Sequence, residues 1–239
     1  MRILSIDSSL GTQLLVADTN PTEAGLRLAV LTSAEQADSR RHAESLGPML
    51  TAALAHPEVA GAPIEAVVAA TGPAPFTGLR AGLVTAHTVG RARGLPVYGV
   101  PSLDAVARTA LDQIAERDGR EAAARATVLV ATDARRTEVY TARYRAAGPD
   151  DVERLGDLGV LSPSQAVATG PFDEVAGSGA AAYEEISGGR EVLAPVSGDA
   201  RTQVRLALTR LAQGLDLDTE PLYLRHADVQ IPSSPKRVG

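Results

Sequence analysis

Apolar positions follow two rhythms in the first hundred residues. Ile3–Asp7 is a short apolar run ending in the polar turn DSSLGT, Gln13–Ala17 is a second, and Leu26–Leu31 is a third after the turn-rich TNPTEAG. Short runs with tight polar connections predict three strands in an antiparallel meander. The rhythm then changes. Leu46, Met49, Leu50, Ala53 and Leu54 fall on one stripe at helical spacing, which predicts a helix over about 43–56. Pro48 suits that helix only in its first turn, because a deeper proline removes a hydrogen bond. Ile64–Ala70 is β-branched and wholly apolar, the pattern of a buried strand. Residues 71–76, TGPAPF, are turn chemistry. Thr77–Arg93 predicts a second helix, with Thr77 as its cap and Gly94 past its end. Val97–Val100 reads as a short strand and Ser102–Arg117 as a third helix, with Ser102 a good cap residue.

The order β-β-β-α-β-α-β predicts a mixed sheet with helices packed on it. The second half starts the same way. Thr127–Thr132 reads as a buried strand running to Asp133, the turn DARR follows, and Glu138–Tyr144 alternates as a second strand. ILSIDSSLGTQLLVA and LVATDARRTEVYTA each consist of an apolar strand, an aspartate at its end, a polar turn and another strand, a weak internal repeat. Further on, Ser162–Ala168 and Gly179–Ile186 read as short helices and Glu174–Ala176 as a short strand. Arg201–Gln213 reads as a firm helix, with Val204, Leu208 and Leu211 at helical spacing. These elements divide into a first lobe over 1–101 and a second over 102–225. A polar tail over 226–239 is expected to be disordered.

Composition narrows the chemistry. The 239 residues include no cysteine, and the single lysine, Lys236, lies in the last four residues. A disulfide framework, a thiolate nucleophile and Cys-ligated metal are excluded, and a Walker or Schiff-base lysine is disfavoured. The four histidines, His42, His56, His87 and His226, form no close pair of the kind a helical metal site needs. The net charge of −6 and the pI near 5.3 argue against a surface that grips nucleic acid through phosphate charge. Arg91 and Arg93 read as dipole partners at a helix C-terminus. No apolar run approaches the roughly 18 residues of a membrane helix, and MRILSIDSS is no signal peptide, so the expectation is a cytoplasmic protein off the membrane.

Three features could carry function. Asp7 and Asp133, each at a strand end beside a tight turn, could hold a metal–nucleotide complex, or could simply cap their own turns. Gly78 and Gly82, with Ala86 next in the row and Leu79 and Leu83 alongside, form a small-residue helix face. Glycine inside a helix costs about 1 kcal/mol relative to alanine, so a close helix contact must compensate, either in this chain's core or at an interface. His42 and Glu44, before the first helix, lack the second ligand a metal would need.

The order of motifs resembles the TsaB (YeaZ) family. ILSIDSS, RHAESLGPML, TGPAPFTGLRAG, GLPVYGVPSLDAVA, TDARRTEVYTARY and PLYLR follow one another from the N-terminus to Arg225, and the stretch Phe76-Thr77-Gly78-Leu79-Arg80 is the most specific. The resemblance implies an α/β fold of the two-lobed actin/Hsp70/sugar-kinase (ASKHA) type with a duplicated β-β-β-α-β-α unit. It implies a non-catalytic subunit of the complex that puts threonylcarbamoyl on adenosine 37 of tRNA. Such a subunit binds and activates the catalytic TsaD, together with TsaE. It has no metal or ATP of its own, these being expected on the partners, and meets tRNA only through the complex. The implied partner face lies on the helices near 43–56 and 77–93, through Leu46, Met49, Leu50, Ala53, Thr77, Gly78, Leu79, Gly82, Leu83 and Ala86. The isolated chain is expected to form a homodimer there.

Two departures bear on ligands. Ala74-Pro75 stands where the family has Gly-Ser, which narrows the turn, and neither DSSLGT nor DARRT has the D-x-G-x-T order of a nucleotide binder. Weak nucleotide binding through Asp7, Ser8 and Asp133 stays open. The alternative reading is a metal- or ATP-dependent enzyme of the same fold, metallopeptidase-like or kinase-like.

Overall fold

Five strands and three long helices carry the first half of the chain. In a computed structural model that describes residues 1–22, 25–36, 42–194 and 199–225, β1 (Arg2–Asp7), β2 (Thr12–Thr22) and β3 (Gly25–Gln36) form the expected meander. α1 (His42–Ala55) and the single turn α2 (Pro57–Ala60) lead to β4 (Ala66–Ala70). Then come α3 (Phe76–Arg93), β5 (Val97–Val100) and α4 (Ser102–Asp118). The second half runs α5 (Arg120–Arg125), β6 (Val128–Asp133), β7 (Val139–Ala146), β8 (Val152–Leu161) and α6 (Pro163–Val167). It closes with β9 (Glu174–Ala176), α7 (Ser178–Ala182), α8 (Glu184–Ser187), β10 (Val192–Leu193) and α9 (Ala200–Ala212).

Among the described residues the strands form two five-stranded sheets, ordered β3-β2-β1-β4-β5 and β8-β7-β6-β9-β10. In each, the first three strands are antiparallel and the last two join parallel. β1 therefore corresponds to β6, and Asp7 to Asp133. The weak repeat is a true duplication of topology, and the fold is the two-lobed actin/Hsp70/sugar-kinase architecture. No helix among the described residues is long and apolar enough to cross a membrane.

The layers follow from burial. β1, β4 and β6 are buried along nearly their whole length; β4 is wholly apolar, whereas β1 also buries Arg2, Ser5 and Asp7. α1 and α3 cover one face of the first sheet, and their apolar stripes share a core with Leu4, Ile6, Val67 and Ala69. The largest core joins the halves. Leu103, Val106, Leu111 and Ile114 of α4 meet Val204 and Leu206 of α9 there, with Ile3 and Val68 from one sheet and Val128 and Val130 from the other. α9, although late in the chain, lies against β1 to β5, while α4 lies against β6 to β10.

Several expectations need correction. β2 and β3 run well past Gln13–Ala17 and Leu26–Leu31, because their polar ends pair with each other out to Thr12 opposite Gln36. β8 has no counterpart in the periodicity: it is a sheet-edge strand whose glycines and charges face solvent. Pro48 lies inside α1 rather than in its first turn. Neither Thr77 nor Ser102 is a cap; Pro75 and Pro101 occupy those positions, and Ser102 buries its hydroxyl without a partner. Gly94 does end α3, in the left-handed conformation at φ 65°. The tail over 226–239 and the His42 side chain lie outside the described residues.

Candidate functional site

The polar atoms of the two aspartate turns already have partners within the chain. Asp7 Oδ1 accepts from the Ser9 amide at 2.8 Å and the Ser9 hydroxyl at 2.6 Å, and Oδ2 accepts from Gln203 Nε2 at 2.8 Å. Burial raises the Asp7 pKa above the usual carboxylate range, against the pull of the Ser9 bonds. Ser8 Oγ donates to the Gly78 carbonyl at 2.7 Å. Asp133 Oδ1 accepts from the Arg135 amide at 2.9 Å, and Oδ2 lies 3.3 Å from the Arg135 guanidinium. Each carboxylate thus bonds the amide two residues on, the geometry of an Asx turn. Among the described residues no group of three or more His, Asp or Glu side chains is arranged to hold a metal.

Near the Asp133 turn a cleft of about 620 Å³ opens between the halves, walled by Ala74, Phe76, Tyr140, Arg136, Tyr223 and Arg225. Arg135, Arg136 and Thr137 hold φ of 65°, 56° and 59° on one wall. This backbone is unfavourable for residues with a Cβ, and the hairpin bonds from Ala134 to Glu138 and from Glu138 to Arg135 keep it in place. Tyr140 reaches Ala74 O across the cleft at 3.4 Å, and burial raises its hydroxyl pKa.

The helix face proposed from the motifs divides in two. Gly78, Leu79, Gly82, Leu83 and Ala86 of α3 point inward and are buried, as are Leu46 and Ala53 of α1. A Cβ on Gly82 would sit inside contact distance of Ser8 Oγ, with Ile6 behind it. The glycine row therefore lets α3 settle onto the end of β1. Met49 and Leu50 are half-buried and Thr77 is exposed.

Beside this inner row lies an outer one that the hydrophobic periodicity missed. α3 presents Arg80, Val84 and Thr88, with Ala81 and Thr85 half-buried; Val84 is 62% exposed. α1 presents Gly47, Thr51, Ala52 and Ala55. Between the helices runs an open groove of about 660 Å³, with Leu46 and Gly47 on one side and Phe76, Arg80 and Val84 on the other. The signal in the sequence was the near-absence of charge at Thr77, Ala81, Val84, Thr85 and Thr88, where a solvated helix face normally carries Lys or Glu.

Residues 33–169, more than half of the chain, match the family described as TsaD: tRNA N6-adenosine threonylcarbamoyltransferase. The chain belongs to that family. A Mycobacterium tuberculosis protein of uncharacterized function is 43% identical over 148 residues, which are 60% of this chain and 63% of that protein. The match thus spans less than two thirds of that relative. The tRNA N6-adenosine threonylcarbamoyltransferase of Rhizobium etli is 36% identical over 72 residues, 30% of this chain and 20% of that enzyme. Among solved structures, YeaZ from Pseudomonas aeruginosa superposes with a TM-score of 0.68, covering 93% of this chain and 99% of that one at 24% identity. The TsaB-type architecture expected from the motifs is thereby found across both lobes. Within this threonylcarbamoyltransferase family, the matched stretch includes α1, α3 and the cleft residues from Ala74 to Tyr140, while Tyr223 and Arg225 lie beyond it.

Proposed function

We propose that this chain is a non-catalytic, TsaB-type subunit in the threonylcarbamoylation of tRNA adenosine 37. In this reading it docks onto a TsaD-type catalytic subunit through the outer face of α1 and α3, and TsaE joins the assembly. ATP and metal belong to the partners, and tRNA is met through the complex. The isolated chain pairs with itself through the same face, and the assembly works in the cytoplasm.

The observation that carries the reading is the exposed, nearly uncharged α1–α3 face around Val84 and the groove beside it. Small residues such as Gly47, Ala52 and Ala81 let a second helix pair approach at the 8–10 Å typical of close helix packing. Burying a side chain such as Val84 would contribute about 1.5–3 kcal/mol. The reading of the chain as non-catalytic draws on the Asp7 and Asp133 carboxylates, which already serve turn amides and, in Asp7, Gln203.

Val84→Arg tests the interface. The position is open to solvent, so the variant should melt within a few degrees of the parent yet lose co-purification with TsaD. Gly82→Arg is the wrong probe, because its side chain would collide with Ser8 and report on folding. Undiminished TsaD binding by Val84→Arg would remove the α1–α3 assignment. ATP turnover by the isolated chain would overturn the non-catalytic role.

A further inference from the structure

After α9 the chain does not simply run off the surface. Residues 215–225 cross from one lobe to the other along the cleft. At the first lobe, the Gly99 amide donates to Leu217 O at 3.0 Å and the Leu222 amide donates to Thr71 O at 2.8 Å. This brings the segment onto the ends of β4 and β5. Gly99 is required for that approach, since a Cβ there would lie inside contact distance of Asp218 O. Leu217 and Leu224 pack against the core that α4 and α9 share. The Tyr223 ring lies 5.0 Å from Phe76, tilted by 38°, on the first-lobe wall of the cleft. At the second lobe, Arg225 Nη1 donates to Ala134 O at 3.0 Å and its guanidinium pairs with Glu138. Ala134 and Glu138 are the two ends of the hairpin that holds Arg135–Thr137 at positive φ.

We propose that residues 215–225 form a strap that ties the two lobes across the cleft, with Arg225 as its fastening to the second lobe. The shared core around α4 and α9 is the hinge side, where apolar packing joins the sheets. On the cleft side, the direct bond from Tyr140 to Ala74 is long at 3.4 Å, and the strap supplies the shorter links. Releasing Arg225 and Tyr223 frees the cleft walls to swing about the α4–α9 core. The strap also braces the Asp133 hairpin, because Arg225 engages both of its ends, Ala134 and Glu138. The inference stands apart from the partner reading, because it concerns the isolated chain.

The absence of cysteine makes the test direct. Arg91→Cys on α3 and Glu185→Cys on α8, both at exposed positions, carry spin labels whose separation is read by pulsed electron resonance. The expected parent result is one narrow distance distribution. With Tyr223→Ala and Arg225→Ala added, the distribution should broaden and move by more than its parental width, while circular dichroism keeps its native form. An unchanged distribution overturns the strap. A second measurement needs no substitution: in the parent chain the Gly99 and Leu222 amides should exchange with deuterium as slowly as β4. Exchange at the rate of an exposed loop overturns the proposal even if the double variant fails to fold.

Discussion

At Gly82 a missing side chain decides how close a helix can come to a strand. Ser8 Oγ occupies the space a Cβ would need and bonds to the Gly78 carbonyl one turn earlier. Gly82→Ala should therefore destabilise the chain by about 1–3 kcal/mol, the usual cost of overpacking. Ser8→Gly in the same chain should recover part of that loss, and urea midpoints of the two variants would check it. Asp7 predicts a pH effect. Its pKa is raised in the folded chain by burial, so the folded state holds its proton more tightly than the unfolded one. The associated stability is fully present below the unfolded pKa and falls as pH rises from about 4 through the folded value. Asp7→Asn should flatten that part of the profile. An unaltered slope would mean that Asp7 titrates at an ordinary value.

At the scale of elements, periodicity located the long helices and central strands within a few residues, but it missed α2 and α5, ran α7 and α8 into one helix, and misjudged what each face does. Leu46, Ala53, Leu79 and Leu83 stood out because they are apolar, and they stood out for the core. The outer row of Ala81, Val84 and Thr88 is marked only by missing charge, which a hydrophobic pattern does not register. β8 was illegible for a related reason: an edge strand paired on one side needs no apolar alternation. α1 shows the opposite mismatch, since it continues through Pro48 although proline in a helix interior costs about 3 kcal/mol. Leu46 and Ala53, buried against the sheet on either side of it, hold the helix together. Because Pro48 is exposed, Pro48→Ala should raise the melting temperature. A fall would point to a contact that proline alone provides.

At the scale of the whole molecule, α9 closes the structure by joining parts remote in sequence. Arg210 Nη2 bridges Asp104 Oδ2 and Asp151 Oδ1, both at 2.8 Å, and Tyr144 donates to Asp104 Oδ1 at 3.0 Å. Arg205 pairs with Asp112 and Asp150 beside it. Burial raises the Asp104 pKa even with Arg210 opposing the shift. Arg210→Ala would strand two buried carboxylates and should cost about 3–5 kcal/mol, measured by denaturant unfolding. A loss below about 1 kcal/mol, the scale of an exposed pair, would mean that water already screens the cluster.

The sequence by itself determined the long helices and central strands, the duplication signalled by ILSIDSS and TDARR, and the family, because these are properties of neighbouring residues: spacing, turn chemistry and motif order. Only the tertiary structure decided that the glycines face Ser8, that the uncharged row faces solvent, and that Leu217, Leu222 and Arg225 stitch one lobe to the other. Those facts depend on which surfaces meet across tens to hundreds of residues. A helix stripe encodes its own amphipathicity, but the neighbour it meets is selected by the packing of the entire chain.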